Sequence, residues 1–344
     1  MNLLYHPAGA DDALRAAMTE LAVGRWMSMR GLLVETGSNW PLRSFRTRVL
    51  GIMAAGSDVV EAWLAEEPDS YDAQVMQARV SVERALRARR QQHASAGRLE
   101  QRARVLAASV SQHDWRDPVP WLCLLTLAQL DAGQVWREHR VRAAEPMLPA
   151  GPWGLLCEVH RRDPFSREAY HRMVQFLLAR RVAEAGALAE VMDFSRWAAS
   201  WAAEGSPLLL LPLYSLAEQF RRRGGRWRPA TWRLQWAEEP TIGYTLRAYE
   251  GWFRKADSGL RSVSDLNHLA CALWAGHKLV QAAEVFDAMG PYAAWEPWAS
   301  VQDYGDQQDA AKALFLRARS ESYTARSHAR HRGPVAGQQT RPSA

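Results

Sequence analysis

Five prolines, Pro68, Pro118, Pro164, Pro207 and Pro240, constrain this chain more than any other feature. Each stands between one helix-forming stretch and the next. Proline has no N–H and a fixed φ, so it stops a helix yet suits the first turn of its successor. The spacings are 50, 46, 43 and 33 residues, irregular but within the range of helical repeats. Three breaks share a local grammar: EEPDSYDAQ, RDPVPWLCL and RDPFSREAY. The pattern predicts an all-α chain of antiparallel helix pairs, each covering the apolar face that its neighbour cannot bury alone.

Composition supports helices. Ala, Leu, Arg, Glu and Gln are abundant, and no segment alternates as a strand would. Sixteen tryptophans supply bulk between pairs. Trp26, Trp63, Trp121, Trp153 and Trp201 lie in apolar helical patterns and are expected in the core.

Taken in order, helices are expected over residues 10–23, 26–35, 41–54, 58–67, 71–93 and 99–110. A very apolar one follows from Pro120, too apolar all round for a surface helix. Further helices are expected over 153–161, 166–180, 182–203, 207–223 and 241–255, with a short Trp-rich one before Pro240. A pair over 265–290 and a last helix over 307–322 complete the set. Helices thus occupy residues 1–316 and slightly beyond, with a sub-boundary near the prolines of 145–152. Residues 323–344 lack apolar anchors and are expected to form a disordered basic tail.

The net charge of +6 belongs to that end of the chain. Residues 317–344 hold six Arg against one Glu, so the rest is close to neutral. A basic body of the kind that binds nucleic acid is therefore not expected, although Arg84–Arg104 and Arg221–Arg233 are locally Arg-rich, the second with Trp227 and Trp232. Cys123, Cys157 and Cys271 show no metal or disulfide spacing and read as buried, reduced thiols. No signal peptide or membrane-length apolar run is present, so a cytoplasmic protein with no membrane association is expected. Motifs for catalysis, phosphate loops, metals or cofactors are missing: no HExxH, GxSxG, GxxxxGK[ST] or GxGxxG. His160, Asp163 and His171 are the nearest approach to a ligand group, and read as turn or surface residues.

Residues 266–289 resemble a tetratricopeptide unit. Leu266, Leu269, Ala270 and Leu273 match its first helix, and Ala282, Phe286 and Met289 match its second. Gly276 falls one place early and no proline closes the unit. Looser forms at Trp121 and Tyr170 extend the likeness to an irregular tetratricopeptide-like α-solenoid. The whole chain is similar to uncharacterised helical proteins of actinomycetes, a likeness that implies no activity. The tetratricopeptide resemblance implies a non-enzymatic scaffold with a protein or peptide in its concave groove. It places Asn267, Cys271 and Trp274, Thr126 and Gln129, and His171 and Gln175 along that groove. A nucleic-acid-associated regulator or an all-α enzyme is the alternative.

Overall fold

The computed structural model describes residues 3–222, 229–301 and 307–331. Among these residues the regular elements are α-helices with short 3₁₀ turns and one π-turn, and no strand exceeds an isolated bridge. In chain order the helices are α1 (Asp12–Ala22), α2 (Met27–Thr36), α3 (Trp40–Ala54), α4 (Val59–Glu66), α5 (Tyr71–Arg90) and α6 (Ala96–Val110). Next come α7 (Val119–Leu127), α8 (Trp153–Arg162), α9 (Arg167–Ala179), α10 (Glu184–Ser200) and α11 (Leu211–Arg222). The series ends with α12 (Pro229–Ala237), α13 (Thr241–Ala248), α14 (Val263–Ala275), α15 (Leu279–Met289) and α16 (Gln307–His331).

Local chemistry sets these boundaries. Asp11, Asn39, Ser70 and Ser262 each accept a hydrogen bond from a backbone N–H in the first turn of the helix they precede. The α14–α15 turn holds Gly276 because a Cβ there would lie 2.8 Å from the Trp236 carbonyl oxygen. Pro207 opens a 3₁₀ turn, and α11 begins only at Leu211. The expected helix over 241–255 stops at Ala248 and continues as one π-turn, Tyr249–Phe253.

Consecutive helices pack mainly on near neighbours in the chain, and their apolar faces form three large clusters. The first runs from Ala8 to Val80, the second from Ala78 to Leu211, and the third from Leu209 to Ala318. Helix α5 joins the first two, giving Met76 and Val80 to one and Ala78 and Val82 to the other. Leu208 and Leu211 face the second cluster while Leu209, Leu210 and Leu213 face the third. Ala128, Leu148 and Trp153, on either side of and within the stretch 145–152, share a single cluster.

The beginning of the chain meets its last third. Leu4 pairs with Tyr292 in a parallel bridge, through Leu4 N to Pro291 O at 2.9 Å and Ala293 N to Leu4 O at 3.0 Å. The Tyr5 and Trp295 rings stack with centroids 3.8 Å apart, and Arg15 donates to the Tyr292 hydroxyl at 2.7 Å.

Several expectations require correction. Helix α16 continues nine residues past Ser322, held by Arg319 on the Gly290 carbonyl and by Arg326 on Asp287. The basic tail expected from residue 323 is therefore helical to His331, and residues 332–344 lie outside the described residues. Cys157 is exposed, unlike Cys123 and Cys271, because it sits on the outer face of α8. Trp26, Trp63 and Trp153 are core residues as expected. Trp121 is half-buried beneath the Arg162 guanidinium, and Trp201 is partly exposed at the edge of a ring cluster with His160, Phe165 and Tyr170.

Candidate functional site

Where the three clusters meet, six chain segments line a partly open cavity of about 940 Å³. Its walls come from residues 5–12, the first half of α3, the α8–α9 turn, residues 203–207, residues 252–264 and residues 293–295. That volume falls at the upper end of sites for small molecules and short segments. Aromatic rings (Tyr5, Phe45, Phe165, Trp252, Trp295) alternate with charged groups along the wall.

Helix α3 supplies the most unusual part. Arg43, Ser44, Arg46 and Thr47 are all buried on it, so polar side chains leave the helix in several directions inside the protein. Most are matched. Arg43 binds Asp72 at 2.5 Å and Asp117 at 3.0 Å, while Arg46 binds Asp11 at 2.8 and 3.1 Å and the Thr36 hydroxyl at 2.7 Å. Arg48 differs. It is half-buried in the cavity wall and, among the described residues, makes no hydrogen bond or ion pair. Burial pushes its guanidinium down to about 10, with Glu168 opposing and Arg167, Arg172 and Arg79 adding to the fall, so it stays charged at neutral pH.

Glu168, at the start of α9, is already occupied. Arg79 grips it bidentately at 2.8 and 2.9 Å, and Arg172 reaches it at 3.1 Å. Burial alone would raise its carboxyl, but Arg79 and Arg172 more than offset this and hold it at about 2. Next to it, Arg167 forms a bidentate pair with Asp265 at 2.7 and 2.8 Å, and the Tyr214 hydroxyl donates to Asp265 at 2.7 Å. His268 stacks on Tyr214 and His171 meets its ring edge-on. Burial, then Arg167, pushes His171 well down, so its imidazole is neutral.

The α8–α9 turn carries a second unmatched group. Asp163 Oδ2 and the Ser166 hydroxyl are buried without a hydrogen bond, and Phe165 between them has φ 65°, in the left-handed region that side chains disfavour. In the related RDP turn upstream, Asp117 accepts from Val119 N at 2.7 Å and pairs with Arg43. Asp163 does neither. Burial pushes its carboxyl up to about 6, opposed by the Ser166 hydroxyl, which stands near but outside hydrogen-bond geometry, while Glu168 adds to the rise.

An acid whose folded pKa exceeds its unfolded value of about 3.9 favours folding at low pH. That contribution is lost as pH climbs from about 4 through about 6. Asp163→Asn should therefore stabilise the fold at pH 7 by about 1–3 kcal/mol and change little at pH 4. Urea midpoints at both pH values measure this. A loss of stability at pH 7 would mean that the carboxylate has a partner after all.

The residues expected along a groove are distributed differently. Asn267, Cys271 and Trp274 are buried together in the third cluster region, against Trp298 and α16. Thr126 is buried and donates to the Leu122 carbonyl, and Gln129 donates to the Thr126 carbonyl. A fully buried side chain offers a partner no surface. Gln175 is exposed and accepts from Arg172, while His171 lies beside Tyr214, one turn from cavity-lining Arg167 and Glu168. The seven do not converge.

In the Arg-rich stretches, Arg84 pairs with Glu61, Arg89 with Glu100, Arg104 with Glu138, and Arg221 and Arg222 with Glu218. Arg223 and Trp227 lie outside the described residues, as does the side chain of Trp232. Among the described residues no three His, Cys, Asp or Glu side chains group as metal ligands, and His160 instead packs edge-on against Phe165 and Trp201. No described helix is long and apolar enough to cross a membrane. Comparisons with protein-family models, with curated proteins and with solved structures find no match to this chain.

Proposed function

We propose that this chain is a cytoplasmic, non-enzymatic binding protein, an irregular tetratricopeptide-like α-solenoid whose partner is a protein or peptide. The cavity carries this reading: about 940 Å³, walled by all three clusters, with aromatic rings for side chains and charged groups for a backbone end. In this reading the binding surface is the partly open cavity between the clusters, in place of a groove along the first helices. Nucleic acid is not part of the reading, because much of the Arg-rich surface is paired with its own carboxylates.

Incubation with a fully degenerate tetrapeptide mixture, gel filtration and mass spectrometry of what co-elutes tests it. The wild-type protein should retain a restricted set of sequences, and Ala294→Trp, which fills the cavity wall, should retain none. No retention by wild type, or equal retention by the variant, would sink the proposal.

A second reading, an all-α enzyme, rests on Asp163. A buried, unpartnered carboxyl near pKa 6 in a cavity is what general acid–base chemistry uses. Its test is consumption of a component of a metabolite extract by wild type but not by Asp163→Asn. Equal consumption, or none, removes it.

A further inference from the structure

We propose that Arg48, with Ser44 one helical turn before it, anchors a carboxylate of the bound partner, as at the C-terminus of a peptide. The inference deepens the peptide-binding reading and rests on it for the identity of the partner, but not for the anion site.

A local inventory of charge leads to it. Arg48, Arg79, Arg167 and Arg172 surround Glu168, with Asp265 on Arg167 and Glu83 4.0 Å from Arg172. With Asp163, which feels Glu168 across the wall, four guanidiniums face four carboxylates, yet Arg48 alone of the four guanidiniums has no carboxylate in contact among the described residues. Both oxygens of Glu168 are taken by Arg79, with Arg172 sharing one, and both oxygens of Asp265 are held by Arg167. The guanidinium left unpaired is that of Arg48, and it borders the cavity.

Ser44 also lines the cavity, and its buried hydroxyl has no partner among the described residues. Positions i and i+4 share a helix face, so Ser44 and Arg48 stand on one side of α3. Helix α3 is not short of acids elsewhere, since Arg43 and Arg46 each have theirs. A half-buried charge left unmatched weakens a fold, and such a cost is kept where function uses the group.

The chemistry of the site selects a carboxylate. The guanidinium fork matches its two oxygens, and the hydroxyl adds a third donor. One unpaired guanidinium suits a monoanion. A phosphate dianion would add a second negative charge among Glu168, Asp163 and Asp11, which also line the wall.

The test uses the full chain and two acetylated degenerate tetrapeptide mixtures, one as free acids and one as C-terminal amides. Wild type should retain free acids roughly tenfold or more over amides, the ratio expected for one charge-assisted contact. Arg48→Met should abolish that preference. Without added anion it should also raise Tm by about 1–3 °C, whereas a merely structural arginine would lower Tm when removed. If Arg48→Met does not fold, Arg48→Lys keeps the charge without the fork, and should reduce the preference.

Equal retention of acids and amides overturns the anchor while leaving the peptide reading intact. Retention of neither overturns the peptide reading, and acetate then decides the anchor. At matched ionic strength, acetate should raise wild-type Tm over chloride and leave Arg48→Met unmoved. Identical responses of the two proteins overturn it. A larger, Arg48-dependent effect of inorganic phosphate than of acetate overturns the assignment to a carboxylate.

Discussion

Glu168→Ala should cost the fold about 3–5 kcal/mol, the penalty for removing one partner from a buried ion pair. The carboxylate holds Arg79 and Arg172, both buried, and Arg79 comes from α5, 89 residues away in sequence. Without it two guanidiniums would face each other in a space shielded from water. Glu168→Gln separates shape from charge, keeping the volume and some hydrogen bonding, and should fall between wild type and Ala.

The pH dependence has a definite sign. Glu168 titrates at about 2 in the folded chain, below the unfolded value near 4.3, so it stabilises the fold above that value. The contribution fades as pH drops from about 4 through about 2. Urea titrations at pH 7 and pH 3 should therefore show a smaller gap between wild type and Glu168→Gln at the lower pH. An equal gap at both would mean that packing alone, and not charge, accounts for the loss.

Trp298→Ala should be comparably damaging, at about 3–5 kcal/mol for a buried aromatic. Trp298 is fully buried among Phe286, Phe315 and Trp274, with ring centroids 5.4–6.3 Å away. Its indole N–H donates to Asn267 Oδ1 at 2.8 Å, and Asn267 Nδ2 donates in turn to the Val263 carbonyl at 2.7 Å. Truncation would therefore open a cavity and strand a buried amide oxygen. Trp298→Phe isolates the second effect and should cost about 1–3 kcal/mol. Thermal unfolding of both variants checks the ranking, and equal losses would show that the Asn267 contact contributes nothing.

That contact also marks where the sequence stops being informative. Proline punctuation and apolar period place nearly every helix, because those signals are local. Which face of a helix is covered depends on what arrives later in the chain. Asn267, Cys271 and Trp274 occupy groove positions in a regular tetratricopeptide unit, yet here Trp298 and Glu321 come back over them. Helix α3 shows the converse. Its RSFRTR stretch has no apolar stripe to announce a buried helix, but Arg43 and Arg46 find acids on segments as distant as Asp117 and Asp11. The cavity gathers single groups from six separated stretches, so no spacing announces it. The one legible clue was the RDP grammar repeated at Asp117 and Asp163, whose two copies differ in whether the aspartate is satisfied.

The bridge between Leu4 and Tyr292 has a consequence for how such a chain can change over time. A stack of units that contact only their neighbours can lengthen by duplicating one of them, and it melts from its free ends. Here Leu4 is tied to a segment nearly three hundred positions later, so the helices between them are fixed at both ends. Inserting or deleting a helix pair would pull Leu4 away from Tyr292 and part the walls that hold Arg48. Variation is then confined to substitutions within a fixed frame, and the interior is where they have the most to alter.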